Sequence, residues 1–295
     1  MSEHQAGGYY VPEPSGWPIV GSAAIALLTS GLVMWANHVS PGGWLMLAGL
    51  LVLFYMMFGW FGTVIAESQA GKYSPQVDLS YRWGMSWFIF SEVMFFGAFF
   101  GALFYMRILS VPWLGEGDTN AVLWEGFKAA WPSTGPLGQA IIAPMTEAGP
   151  GQLSPMSAWG VPAINTLILL TSGVTLTIAH WGLKKSNRAQ LNLWLALTVA
   201  LGVIFLYFQA TEYHEAYTKL GLTLGSGAYG ATFFLLTGFH GFHVTIGTIM
   251  LAVILVRCLK GHFQPDNHFA FEAVSWYWHF VDVVWLGLFV FVYWL

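Results

Sequence analysis

A chain of 295 residues with 56% hydrophobic and only 8% charged side chains lies far below the roughly 25% charge of a soluble domain, and reads as a membrane protein. Its formal net charge of −4 is thinly spread, which excludes the basic footprint of a nucleic-acid partner. The single cysteine, Cys258, excludes an internal disulfide and any cysteine-rich metal centre.

The chain opens on "MSEHQAGGYYVPEPSGWP", a polar, Pro/Gly-rich stretch with no basic n-region, which does not read as a cleavable signal peptide. Seven apolar runs long enough to span a bilayer follow, at 17–37, 42–66, 80–107, 160–183, 190–214, 228–257 and 268–294. The third, sixth and seventh run long, so tilt or protruding ends are expected. Short polar or Pro/Gly connectors such as "SPGG" and "ESQAGKYSPQVD" separate most of them. One connector, 108–159, is long and rich in Gly, Pro and Ser, and is expected to be irregular and outside the hydrocarbon. With no internal repeat and no soluble domain, the expectation is an all-α membrane protein forming a single integral membrane domain over 1–295. Helices 1–2 then occupy 17–66, the extracytoplasmic loop 108–159, and helices 3–7 lie within 80–294.

Orientation follows from the basic residues. Lys72, Arg82, Lys184, Lys185, Arg188, Arg257 and Lys260 fall on one side, and only Arg107, Lys128 and Lys219 on the other. The positive-inside rule therefore puts the N-terminus in the cytoplasm and the C-terminus outside. Trp17, Trp44, Trp159, Trp181 and Trp294 lie near span ends, as aromatic belts do.

At about 1.5 Å per residue, Glu92 sits about 18 Å into the third span, and His243 about 20 Å from the cytoplasmic end of the sixth, with His240 further out. His279 and Asp282 sit about 16 and 21 Å into the seventh. Ionisable groups sharing the middle layer are functional candidates by default. His240 and His243, three apart in "GFHGFHV", share a helix face. They could ligate a metal or haem, or donate hydrogen bonds to neighbouring helices, which is the more economical reading. His279 and Asp282 could form an internal i,i+3 hydrogen bond, or a proton relay if a water path exists.

Glu92 can be held neutral at pH 7, costing roughly 4 kcal/mol, or charged beside a partner such as His243. The two costs are comparable, so both states stay open. Gly97 and Gly101 form a small-xxx-small pair that invites close helix packing. They lie about 140° and 180° from Glu92 around the helix, which predicts a glutamate off that seam, facing another helix pair, a water pocket or lipid.

Nearer the span ends, Glu212, Glu215, Glu67, His180 and Glu272 read as interfacial anchors and loop-packing groups, and Cys258 as inert. Arg257 and Lys260 close the sixth span and serve either lipid phosphate or topology. No phosphate-binding loop, nucleophile triad, H-E-x-x-H or carboxylate-rich metal cluster is visible; "GSGAYG" is a lone, weak fragment.

The runs "YGATFFLLTGFHGFHVTIGTIMLAVILVRCLKGHF" and "HFAFEAVSWYWHFVDVVWLGLFVFVYWL", with "YRWGMSWFIFSEVMFFGAFF", "WPSTGP", "VPAINTLILLTSGVTLTIAHW" and "YFQATEYHEA", closely resemble cytochrome c oxidase subunit III. The resemblance covers essentially the whole chain in family order. It implies a two-helix and a five-helix bundle splayed into a V with phospholipid in the cleft. It also implies no catalytic residue, metal or haem in this chain: haem a, haem a3 and the copper centres belong to partner subunits I and II. Those subunits reduce oxygen with electrons from cytochrome c and pump protons, and a small further subunit can accompany them. The family's subunit III is thought to stabilise subunit I, sustain proton uptake and offer oxygen a lipid-lined route.

By resemblance, the family's buried carboxylate falls on Glu92, and lipid-contacting positions fall on Arg257, Lys260, His243 and Trp60. His240, His243, His279 and Asp282 form the candidate buried polar network. "WFGTVIAES" keeps Trp60 and Glu67 but has Gly62 and Thr63 where an Arg-Asp pair is common, which removes the basis for a salt bridge there. The long 108–159 loop favours a bacterial protein, hence the inner membrane. Three other readings remain: subunit III of a quinol oxidase, an independent proton channel using Glu92, His243 and Asp282, and a haem or metal enzyme using His240 and His243.

Overall fold

The structure, a computed structural model, describes residues 13–116, 118–125, 127–136 and 154–295. The polar N-terminal stretch over 1–12 and the middle of the predicted loop, 137–153, lie outside the described residues. Seven long helices are present among the described residues: α1 Trp17–Ala36, α2 Gly42–Gln69, α3 Pro75–Phe104, α4 Val161–Lys184, α5 Arg188–Thr218, α6 Gly227–Leu259 and α7 Phe269–Leu288. Each lies in a segment long and apolar enough to cross a membrane. No strand occurs among the described residues.

Local chemistry explains the boundaries. Prolines occupy the first turn of α1 and α4, where the missing N–H has no intrahelical partner to lose. Asn187 caps α5 by accepting a hydrogen bond from the Gln190 backbone N–H at 3.1 Å. Beyond α2 and α6 the chain turns at Gly71 (φ 67°) and Gly261 (φ 73°), left-handed positions that favour glycine.

The end of the third span differs from the sequence expectation. The third span is predicted to stop at 107, but it continues through a π-helical turn, Tyr105–Ser110, and a last α-turn, Val111–Gly115. Ile108, Leu109, Val111, Trp113 and Leu114 keep the segment apolar, and Pro112 falls in the first turn of its last piece. A short helix, Asp118–Leu123, follows. The seventh span also finishes in a π-helical turn, Phe289–Trp294, which takes it to the expected end at 294.

The chain forms two compact units, Met1–Tyr81 and Arg82–Leu295. In the first, α1 and α2 pack as a close hairpin. A Cβ at Gly49 would lie 2.7 Å from the Leu28 nitrogen, so only glycine allows that approach. The Trp17 indole N–H donates to Thr63 Oγ1 at 3.1 Å, which ties the start of α1 to α2.

In the second unit the core forms around Trp278 and Trp285 of α7, both at most 1% exposed, packed with Phe205, Phe233 and Phe271. Each indole keeps its polar end satisfied: Trp278 donates to Ser172 Oγ (2.8 Å) and Trp285 to Thr166 Oγ1 (2.9 Å), both on α4. Gly202 and Gly247 make room for Trp278; a Cβ at Gly247 would fall 2.8 Å from its Cε3.

The tight seams therefore do not involve Gly97 and Gly101. A Cβ at either would meet nothing within 4 Å, which corrects the small-xxx-small expectation for α3. The physical reason is that α3 meets α6 through bulky rings. Phe95 and Phe99 lie edge or tilted against Phe239, with centroids 5.1 and 5.2 Å apart, and such side chains hold two backbones apart.

Candidate functional site

Glu92 faces this aromatic seam. Its Oε2 lies 2.8 Å from His243 Nε2 on α6, joining positions 151 residues apart in sequence. The reach is set by helix periodicity: Phe95 and Phe96 stand three and four residues beyond Glu92, on its face, and both lie against the His243 ring (6.0 and 5.0 Å). Tyr277 of α7 stacks on the same imidazole at 6.3 Å, and Phe88, one turn before Glu92, stacks on Tyr277 at 6.2 Å. The pair sits in an aromatic enclosure, with the His243 and Glu92 side chains 10% and 20% exposed.

The second ring nitrogen decides the proton count. His243 Nδ1 lies 2.6 Å from the Phe239 carbonyl, an acceptor only, so Nδ1 carries a hydrogen. A bare Nε2 facing an ionised carboxylate at 2.8 Å would repel it. One proton therefore lies between Oε2 and Nε2, as carboxylic acid donating to imidazole or as imidazolium donating to carboxylate. Both forms have zero net charge. The choice between a neutral and a charged Glu92 thus becomes a choice of position for one proton, and the membrane cost of an isolated carboxylate falls away.

The other predicted polar residues do not join this pair. His240, 1% exposed, lies between Phe205 and Trp285, with its Nε2 3.2 Å from the Val281 carbonyl, to which it donates; its Nδ1 has no partner. The His240 and His243 nitrogens thus engage different groups, which removes a metal or haem held between them. His279 Nδ1 stands 3.6 Å from Asp282 Oδ2, an ion-pair distance and too long for the expected hydrogen bond. Asp282 instead presses against α4, where Gly173 admits it: a Cβ there would fall 2.5 Å from Oδ2. His240, His243, His279 and Asp282 are therefore three separate local contacts, not one network.

Among the lipid candidates, Arg257 is buried at the end of α6, with its guanidinium 4.4 Å above the Phe263 ring and its Nε unpaired. Lys260 and Trp60 are exposed.

Sequence reasoning missed two clusters. Glu212, read as an interfacial anchor, is 1% exposed and accepts a hydrogen bond from the Tyr293 hydroxyl at 2.6 Å. His180 and Glu272, also read as interfacial, converge with His268 from α4 and the start of α7, and Arg82 of α3 pairs with Glu272 Oε2 at 2.5 Å. The available signal was the i,i+4 spacing of His268 and Glu272 on one helix face; the His180 contribution had none.

These features define a class: an all-helical, multi-pass membrane protein with a carboxylate–imidazole pair inside its helical bundle. The model of the family described as "Cytochrome c oxidase subunit III" matches residues 7–142 and 119–295. Proteins named "Cytochrome c oxidase subunit 3" from Struthio camelus and Dugong dugon are each 42% identical over 292 residues, covering 99% of this chain and 98% of theirs. One from Cyprinus carpio is 41% identical with the same coverage. The chain belongs to the cytochrome c oxidase subunit III family, and is thus one subunit of a multi-subunit oxidase of the respiratory chain.

Proposed function

We propose that this chain serves a proton-pumping, cytochrome c-oxidising complex of a bacterial cell membrane as its subunit III without redox centres, stabilising subunit I and supporting its proton uptake. Haem a, haem a3 and copper belong to subunits I and II in this reading, and a small further subunit can join them. The N-terminus is cytoplasmic and the C-terminus periplasmic, as the basic residues favour. The family resemblance further implies bound phospholipid and a single integral membrane domain.

The observation that carries the proton reading is the Glu92–His243 pair with its Nδ1 proton fixed by Phe239. A pair sharing one proton stays net neutral whether that proton sits on the carboxyl or on the imidazole, so it can pass the proton between the two groups across 2.8 Å. Such a pair holds a transferable proton beside a neighbouring uptake path without an isolated buried charge. Phospholipid headgroups suit Arg257 and Lys260, the first carrying an unpaired Nε and the second exposed, with Trp60 offering an exposed interfacial ring.

The test is turnover of the purified complex with cytochrome c and, separately, quinol as donor, for wild type and Glu92→Gln. Oxidation of cytochrome c is expected, with turnover of the variant falling away faster at high pH. Equal turnover and equal persistence across pH would remove the proton role and leave packing alone.

A further inference from the structure

We propose that His180, His268 and Glu272 form a binding site for a divalent transition-metal cation of the zinc class, at the Lys184 end of the five-helix unit. Their donor atoms form a small triangle. His180 Nε2 lies 3.1 Å from His268 Nε2, His268 Nε2 3.3 Å from Glu272 Oε1, and His180 Nε2 3.8 Å from Glu272 Oε1. A tetrahedral zinc ion, with ligands at about 2.0–2.1 Å, places those ligands about 3.3 Å apart. The observed edges bracket that value. Two imidazoles and one carboxylate are also a known zinc donor set, which leaves a fourth position for water.

The surroundings prepare the donors. His268 Nδ1 is 3.1 Å from the Gln264 carbonyl and carries a hydrogen there, so in the neutral ring Nε2 presents a lone pair to the triangle. Glu272 Oε2 is occupied by Arg82 at 2.5 Å, which leaves Oε1 turned inward. Metal-binding histidines and carboxylates are oriented by such outer partners, a carbonyl on the far nitrogen and a donor on the far oxygen. Without a cation, a neutral His268 sets its lone pair against Glu272 Oε1 at 3.3 Å. A single proton on His180 Nε2 relieves only one of these atoms at a time. A cation satisfies all three at once. The residues are 8–20% exposed, so an ion can reach them.

The site is independent of the Glu92–His243 pair: it uses different side chains, and its reading does not depend on a proton role. The test uses the intact purified oxidase complex containing this chain, dialysed against buffered free zinc. Bound zinc per complex is measured by elemental mass spectrometry for wild type, His180→Gln and Glu272→Gln. Wild type is expected to hold one zinc more than either variant. An anomalous difference map at the zinc edge, from crystals of the unaltered complex, should show a peak within the triangle. Absence of that peak overturns the proposal whether or not the variants assemble. Equal stoichiometry in assembled variants overturns it too, and assigns the cluster to a proton held between histidine and glutamate.

Discussion

Replacing Glu92 by leucine tests whether the carboxylate–imidazole pair holds α3 to α6. The substitution keeps side-chain bulk and suits lipid, so it opens no large cavity. What it removes is the partner of His243 Nε2, 2.8 Å away and inside rings of Phe95, Phe96 and Tyr277. A buried polar atom left unpaired costs about 1–3 kcal/mol. With the His243 side chain 10% exposed, little water can take the missing place, so a loss of about 1–2 kcal/mol is expected. That corresponds to roughly a 5- to 30-fold shift in the folding equilibrium at 1.36 kcal/mol per tenfold. The assay is SDS titration of the purified chain followed by near-ultraviolet circular dichroism. Adding His243→Phe to the leucine variant should recover much of the loss, because both polar partners are then absent. A leucine variant as stable as wild type would refute the reasoning, as would a double variant weaker than the sum of the singles.

Further outcomes follow from the packing. Gly247→Ala places a methyl 2.8 Å from Trp278 and should cost about 1–3 kcal/mol, whereas Gly97→Ala meets nothing within 4 Å and should be neutral or gain up to about 1 kcal/mol by helix propensity in the isolated chain; the same titration compares them. Tyr293→Phe removes the 2.6 Å hydrogen bond to buried Glu212 and should lower stability by about 1–3 kcal/mol, read as a lower midpoint. In the first unit, the Lys72 ammonium hydrogen-bonds Glu13 at 2.9 Å and adds its charge, holding that carboxyl below the usual range. The ion pair is then present above the ordinary carboxylate value and is lost as pH falls through the lowered one. Titration of Glu13 by side-chain NMR should show a midpoint that rises in Lys72→Ala.

Class and spans were legible in the amino-acid pattern, because burial of an apolar helix in lipid needs only length and composition. The seven runs map onto seven helices, with most ends within a few residues. Their motifs also pointed to the family. Glu92 was visible as an isolated carboxylate in an apolar run, and His243 at matching depth was among its open partners, since helical rise converts residue number into depth. Rotation about each helix was legible only relative to the helix itself. That is why the Gly97/Gly101 face could be computed as opposite Glu92, yet which face met a neighbour could not. Helix packing sets the aromatic face as the packed one, turns His240 and His243 to different partners, and brings His180 to His268 across 88 residues. Such pairings depend on which side chains from distant helices arrive at one point, and no local pattern of hydropathy or spacing encodes them.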